Sequence, residues 1–141
     1  MALDTTLIII IITVLVSLGG FNSDKVMNDL IFYPPAISKQ NQWYRFVTSG
    51  FLHADYSHLF FNMLTLYFFG RGMESFYNAY LGKMGFLIFY IAGIIISSIP
   101  TFIKHRNDYH YRSLGASGGV SAVVFAYILF APWTWFTFPP V

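Results

Sequence analysis

Residues 57–73 read SHLFFNMLTLYFFGRGM, a stretch rich in leucine and phenylalanine that polar side chains interrupt. Its length approaches the roughly 20 apolar residues that a helix needs to cross a bilayer. We therefore predict a membrane-spanning helix that closes at Gly70-Arg71-Gly72. His58 and Asn62 are four positions apart and share one face of this helix. Because polar groups are costly inside a membrane, these two residues mark a candidate functional site.

Three further apolar stretches lie at about residues 5–21, 81–103 and 116–131. We therefore predict a single membrane domain, residues 1–141, with four spanning helices. The first stretch could also be the core of a signal peptide, but no Lys or Arg precedes it and Asp4 is acidic. The long first loop, residues 22–56, contains apolar patches that predict short helices lying in the membrane interface.

The composition of the chain points to the same class of protein. Of the 141 residues, 56% are hydrophobic and 10% are charged, against about 25% charged in soluble domains. The mean hydropathy is +0.58. These values exclude an ordinary soluble fold and a disordered chain, and they favour an all-α membrane protein. The eight basic and six acidic residues are too few and too scattered for a nucleic-acid surface. The distribution of basic residues between the predicted loops gives only weak evidence for the orientation in the membrane.

A second motif, Gly-Ala-Ser-Gly-Gly-Val-Ser-Ala, occupies residues 115–122 at the start of the fourth span. Small residues at four-residue spacing allow two helices to pack closely, which is one interpretation. The alternative is that Ser117 is a nucleophile, since the unpaired amides of a first helical turn favour developing negative charge. His58 and Asn62 likewise could simply bond neighbouring helices together. A metal site is disfavoured, because His53 and His58 are about 140° apart around a helix.

Together, the pattern His-x4-His-x3-Asn at residues 53–62 and the Gly-Ala-Ser-Gly motif resemble the rhomboid intramembrane serine proteases. The resemblance implies a rhomboid-like polytopic helical bundle, with four spanning helices present of an expected six. It implies that Ser117 is the nucleophile, within a motif that includes Gly115 and Gly118. It further implies that His58 and Asn62 form the oxyanion hole. Three residues match structural positions near the site: His53, Arg45 and Glu74.

Three departures from the family pattern stand out. Tyr44 precedes Arg45 where the family has tryptophan, and Trp43 lies one position earlier. Ser121 replaces an aromatic residue that can pack on the catalytic histidine. The general-base histidine, which rhomboids carry on their sixth helix, is absent from the chain. We therefore expect these residues to be the amino-terminal part of a longer protease, truncated at the carboxyl terminus and inactive alone.

Other histidines offer a poor substitute for that base. His105 and His110 lie in the loop before Ser117, and a flexible surface loop holds catalytic geometry poorly. The expected function is cleavage of transmembrane segments of other membrane proteins, in the bacterial inner (cell) membrane, by a Ser-His dyad without metal or cofactor. The implied partners are transmembrane substrates and the lipid bilayer, with no nucleic acid. The alternatives are a pseudoprotease that binds membrane proteins without cleavage, and a small transporter or channel subunit.

Overall fold

The computed structural model describes residues 4–130, and within this range it is helical without a named strand. Two short non-α segments interrupt the α-helices: a 3-10 turn at Ser49–Phe51 and a π-helical turn at Leu66–Gly70. The predicted all-α class is confirmed. The α-helices are α1 (Thr5–Asn22), α2 (Asp24–Leu30), α3 (Pro34–Gln40), α4 (Arg45–Thr48), α5 (Tyr56–Thr65), α6 (Arg71–Leu81), α7 (Gly85–His105) and α8 (Ser117–Phe130).

Two of the described helices, α1 and α7, are long and apolar enough to cross a membrane by themselves. Helix α8 is apolar but shorter, with 14 residues. The described residues include neither residue 131, where the predicted fourth span ends, nor the aromatic cluster that follows it. Helices α5 and α6 join through the π-helical turn into one continuous helical segment from Tyr56 to Leu81.

This continuous segment runs past Gly70-Arg71-Gly72, where the second span is predicted to close, and the end of the span in the membrane stays a prediction. The two glycines stay helical because neighbouring helices approach them closely. A Cβ atom on Gly70 would lie 2.9 Å from Thr6 Cγ2, and one on Gly72 would lie 2.9 Å from Tyr127 Cε2. Helix α6 instead ends before Gly82, whose φ of +83° lies in the left-handed region that favours glycine.

Helix α1 begins at a set of hydrogen bonds that involves Glu74 of α6. Asp4 accepts a hydrogen bond from the Leu7 amide at 2.8 Å and caps the helix. The buried Glu74 carboxylate accepts bonds from the amides of Thr5 and Thr6 and from the Thr6 hydroxyl. Negative charge is favourable at a helix N-terminus, so Glu74 fixes α6 to the start of α1.

The first loop is held together by Arg45, which is buried. Its Nη1 atom donates to the Asn28 and Ile31 carbonyl oxygens at 2.8 and 2.7 Å, and its Nε atom donates to the side chain of Gln42. Arg45 therefore satisfies carbonyls at the end of α2 that no helix turn can pair. The predicted short helices are present as α2 to α4, whereas their location in the membrane interface stays a prediction.

The altered loop motif still packs an indole ring against the loop core. Trp43 lies 6.1 Å from Phe46 and 5.7 Å from Phe102, measured between ring centroids. Tyr44 is exposed, and its ring lies 5.6 Å from the guanidinium of Arg45. The tryptophan one position early thus covers the outer side of Phe46 and Phe102 while remaining about half exposed, and the tyrosine lies beside the arginine.

Helices α7 and α8 pack closely through small residues. A Cβ atom on Gly119 would lie 2.8 Å from Tyr90 Cε2, and one on Gly93 would lie 2.9 Å from Ala122 Cβ. Close packing therefore accounts for the small residues that face α7. It does not account for Ser117, which is exposed at the start of α8.

Candidate active site

His53 is the buried centre of the site, in the loop that precedes α5. Its Nε2 atom lies 3.4 Å from the Ala116 amide and 3.1 Å from Asn62 Nδ2, and its Nδ1 atom lies 3.1 Å from Ser17 Oγ. A backbone amide can only donate, so Nε2 is unprotonated and Nδ1 carries the proton. Nδ1 therefore donates to Ser17 Oγ, which donates in turn to the Phe51 carbonyl oxygen at 2.8 Å.

The surroundings of His53 favour this neutral ring. Burial lowers the pKa of His53 from 6.5 to about 4, and the neighbouring His58 adds to the effect. The ring joins α1, α5 and the residue before α8 through hydrogen bonds that only its neutral form can make. His53 is therefore a structural residue whose position decides that of Asn62.

Asp55 and His58 form a second pair at the N-terminus of α5. Asp55 Oδ1 accepts a hydrogen bond from the His58 amide at 2.8 Å and caps the helix. Both carboxylate oxygens also lie 2.9 Å from His58 Nδ1. The backbone amide of His58, and then its side chain, hold the pKa of Asp55 below its usual range, so the carboxylate is ionised at neutral pH.

A cavity of about 180 Å³ brings the predicted site residues together. Ser117, from the first turn of α8, shares it with His58 and Asn62 from α5. The first amides of α8 have no carbonyl partner within the helix and are available to an anionic oxygen near Ser117. The residues that line the cavity are His53, Ala54, His58, Asn62, Leu114, Gly115 and Ser117.

A second cavity, of about 250 Å³, lies on the α7 side of Ser117. Hydroxyl groups dominate its lining: Ser49, Ser97, Ser98, Thr101, Tyr111 and Ser113. Gly115 lines both cavities and has a φ of +120°, a backbone conformation that favours glycine. Ser117 therefore stands between a hydroxyl-rich cavity and the cavity that contains His58 and Asn62.

The other predicted residues do not line the cavity that contains His58 and Asn62. Gly118 faces Ser97 of α7, where a Cβ atom would collide with the Ser97 side chain. Glu74 lies at the opposite end of α1 from Ser17, about 16 Å along the helix, so it is not beside the site. Arg45 supports the first loop and lines neither cavity.

The loop histidines also lie apart from the nucleophile. His105 stacks on Tyr111 at 3.7 Å and lies 3.3 Å from Asp108. His110 is exposed, and neither histidine lines a cavity that contains Ser117. The described part of the chain also holds no group of three or more residues suited to a metal ion.

Sequence reasoning missed the roles of Ser17 and Asp55. Asp55 directly precedes an apolar helix, which is the typical position of an N-cap, so its cap could have been predicted. Ser17 is a polar residue within an apolar span, which is a signal of interhelical bonding. Its partner His53, however, is 36 residues away in the chain.

The fold is an all-helical membrane fold, and it holds a serine at a helix N-terminus in one cavity with a histidine and an asparagine. These features are those of a rhomboid-like membrane protein. Residues 40–141 match the family model described as Rhomboid domain. The chain belongs to the rhomboid family.

Three relatives illustrate the range of similarity. YdcA of Bacillus subtilis is 34% identical over 90 residues, which cover 63% of this chain and 43% of YdcA. The rhomboid protease GluP of the same organism is 37% identical over 81 residues, covering 57% of this chain and 14% of GluP. The mitochondrial RHOMBOID-like protein 12 of Arabidopsis thaliana is 28% identical over 127 residues, which cover 79% of this chain and 36% of that protein. The chain thus matches less than half the length of each relative.

Proposed function

We propose that this chain supplies the nucleophile and the oxyanion donors of an intramembrane serine endopeptidase that cleaves transmembrane segments of other membrane proteins. The observation that carries the proposal is the shared cavity of Ser117, His58 and Asn62. The three side chains come from two helices, α5 and α8, and reach one space beside the first turn of α8. Acyl transfer needs such a space for the scissile carbonyl.

In the proposed reaction, a general base removes the Ser117 hydroxyl proton as Oγ attacks the scissile carbonyl carbon. The carbonyl oxygen becomes an oxyanion, which His58, Asn62 and the first amides of α8 stabilise. The leaving amine takes a proton from the base. Water then hydrolyses the acyl enzyme and releases Ser117.

Asn62 suits this role because His53 fixes its amide group. One N–H of Asn62 Nδ2 donates to His53 Nε2, and Nδ2 carries a second N–H. The hydrogen bond to His53 therefore determines which end of the amide bears the nitrogen and leaves one donor for the oxyanion.

The general base is a histidine outside this chain. The ring of His53 makes hydrogen bonds at both nitrogens, and the proposed reaction uses His58 as an oxyanion donor. The chain matches 43% or less of the length of its relatives in the three pairs compared, which is consistent with a base carried elsewhere in the protein. Without it Ser117 is a weak nucleophile, so these 141 residues alone should not cleave peptides.

The membrane restricts the substrates. Peptide groups of a spanning helix are bonded internally, and exposing one in lipid costs several kcal/mol. Substrates should therefore contain helix-weakening residues near the cleaved bond. We place the enzyme in a bacterial cell membrane, with no cofactor.

A fluorophosphonate probe tests the nucleophile in the full-length protein. Ser117→Ala should abolish both labelling and cleavage of a transmembrane substrate. Ser121→Ala is the matched control, because Ser121 is also exposed and lies one turn further along α8; it should retain both. Equal labelling of wild type and Ser117→Ala would contradict the proposal.

The same experiment separates the two alternative functions. A pseudoprotease would bind membrane proteins and leave both the wild type and Ser117→Ala unlabelled. A transporter or channel subunit with His58 and Asn62 in its lining would keep its transport activity after Ser117→Ala.

A further inference from the structure

Four exposed basic residues lie near the carboxyl end of α7. Lys104 and Arg106 are exposed at this end, directly after Ile103, an apolar side chain of α7 that is 64% exposed. Lys39 in the last turn of α3 and Arg112 in the loop before α8 are exposed as well. We call these four residues, Lys39, Lys104, Arg106 and Arg112, the basic surface.

Contacts between the first loop and the loop before α8 bring the basic surface together. The Ser38 hydroxyl donates a hydrogen bond to the Arg106 carbonyl oxygen at 3.3 Å. Phe32 and Ser113 exchange two backbone hydrogen bonds of 3.0 and 3.1 Å, directly after Arg112. The two loops are therefore joined at both ends of the segment from Arg106 to Ser113.

Two of the four cations are held in place by tyrosine rings. Lys39 Nζ lies 4.4 Å from the centroid of the Tyr109 ring, and Arg112 Cζ lies 4.9 Å from that of Tyr33. The Tyr33 hydroxyl donates to the Tyr109 carbonyl oxygen at 3.1 Å and links the two pairs. Arg112 also donates to the neutral side chain of Asn28. A ring face attracts a cation without cancelling its charge, so Lys39 and Arg112 stay positively charged.

Within the described residues, no carboxylate forms an ion pair with the basic surface. Residues 28–45 and 104–113 contain two carboxylates, those of Asp29 and Asp108. Asp29 pairs with Lys25, and Asp108 contacts His105. Half of the eight basic residues of the chain therefore lie near one another without a neutralising partner in this range.

We propose that the basic surface binds the headgroups of anionic phospholipids in the surrounding bilayer. Each of its side chains is a positively charged donor, and a lipid phosphate group is an acceptor that carries negative charge. A zwitterionic headgroup adds a cation beside the phosphate and gains less from the same contact. The inference goes beyond the proposed protease function and does not depend on Ser117.

The position of the basic surface along α7 supports a lipid partner. Helix α7 is long and apolar enough to cross a membrane, and Lys104 lies in its last turn. Trp43 is half exposed, and its ring lies 5.7 Å from Phe102 of α7. Because tryptophan and tyrosine favour the boundary between hydrocarbon and water, we expect the basic surface at the depth of the headgroups. Anionic lipids attract Lys and Arg at that depth.

Native mass spectrometry of the full-length protein in detergent tests the proposal. The protein is titrated with phosphatidylglycerol or with phosphatidylcholine of the same acyl chains, and each titration gives the Kd of the first lipid bound. The test variant combines Lys39→Gln with Arg112→Gln. The matched control combines Lys25→Gln with Lys83→Gln, which removes the same charge from exposed lysines outside the basic surface. A third variant, Lys39→Arg with Arg112→Lys, keeps both charges.

We expect the wild type to bind phosphatidylglycerol more tightly than phosphatidylcholine. The test variant should raise the Kd for phosphatidylglycerol about tenfold or more, since each basic residue near an anionic surface contributes roughly fivefold. The control and the charge-conserving variant should keep the wild-type preference. Higher ionic strength should weaken this preference, because salt screens exposed charges.

Several outcomes would overturn the inference. Equal wild-type affinity for the two lipids, or a preference that high salt leaves unchanged, would exclude recognition of the headgroup charge. Equal losses in the test and control variants would show an effect of net charge alone. A loss in the charge-conserving variant as large as in the test variant would show that loop contacts, and not charge, hold the lipid.

A competition experiment identifies the source of the phosphate group. Free glycerol phosphate at the concentration of the lipid should not displace phosphatidylglycerol, and displacement would mean that the basic surface binds a soluble anion. Fluorophosphonate labelling of Ser117 tests the proposed function separately. Loss of the lipid preference in a protein that is still labelled refutes the lipid site alone.

Discussion

Asn62 donates a hydrogen bond to the unprotonated Nε2 of His53 over 3.1 Å, and this bond joins a buried structural residue to a residue of the site cavity. The same Nε2 atom accepts from the Ala116 amide, immediately before Ser117. His53 therefore positions an oxyanion donor and the start of the helix that carries the nucleophile. Structural stability and site geometry depend here on one imidazole ring.

Replacing His53 should destabilise the protein strongly. His53→Ala leaves the Ala116 amide and the Asn62 side chain without their acceptor and opens a cavity in a buried position. We expect a loss of about 2–4 kcal/mol in the free energy of unfolding. His110→Ala is the control, since His110 is exposed and its replacement should cost less than about 1 kcal/mol. Thermal unfolding in detergent micelles measures both, and equal losses would contradict the assigned role of His53.

The pKa of His53 predicts how stability depends on pH. Burial lowers this pKa from 6.5 to about 4, so between these values the unfolded chain binds the proton and the folded protein does not. The free energy of unfolding therefore rises with pH in this window. The contribution is present above pH 6.5 and is lost as the pH falls towards 4.

His53→Gln isolates this contribution, because the other three histidines are unchanged. The wild type should lose more stability than the variant between neutral and acidic pH. Parallel curves from denaturant titrations at several pH values would show that His53 does not titrate as described.

The sequence predicted the helical class and the cavity residues because both depend on local patterns. Hydropathy marks the helices, and the spacing of His58 and Asn62 places both on one face of α5. The helix continues past Gly70 and Gly72, because these glycines allow the close approach of Thr6 and Tyr127 and do not end the helix. The end of the second membrane span stays a prediction. The network around His53 joins residues far apart in the chain, and no local pattern encodes such contacts.

Glu74 should contribute to the free energy of unfolding and take no part in the reaction at Ser117. Glu74→Gln keeps an acceptor oxygen but removes the negative charge at the N-terminus of α1, at a cost of about 1–2 kcal/mol. Asp29→Asn is the control, because Asp29 pairs with Lys25 on the exposed surface and should contribute less than about 1 kcal/mol.

Below its lowered melting temperature, Glu74→Gln should retain fluorophosphonate labelling of Ser117, since Glu74 lies at the far end of α1. Labelling that disappears while the protein remains folded would show that α1 transmits the change to the site.

Gly115 and Gly82 form a matched pair for testing the backbone beside Ser117. Both have positive φ, +120° and +83°, and a Cβ atom on either would meet nothing within 4 Å. Alanine therefore adds backbone strain without a collision at either position, at about 1–2 kcal/mol each. Gly82 ends α6 away from both cavities, whereas Gly115 lines both and lies two residues before Ser117.

Gly82→Ala and Gly115→Ala should thus lower the melting temperature in detergent by similar amounts. Only Gly115→Ala should slow the labelling of Ser117, because relief of the strain moves the residues that place the nucleophile between the two cavities. The labelling rate is measured at a temperature where both variants are folded. If both variants label at the wild-type rate, the conformation of Gly115 does not set the position of Ser117; if both lose labelling, the effect is global and not specific to the site.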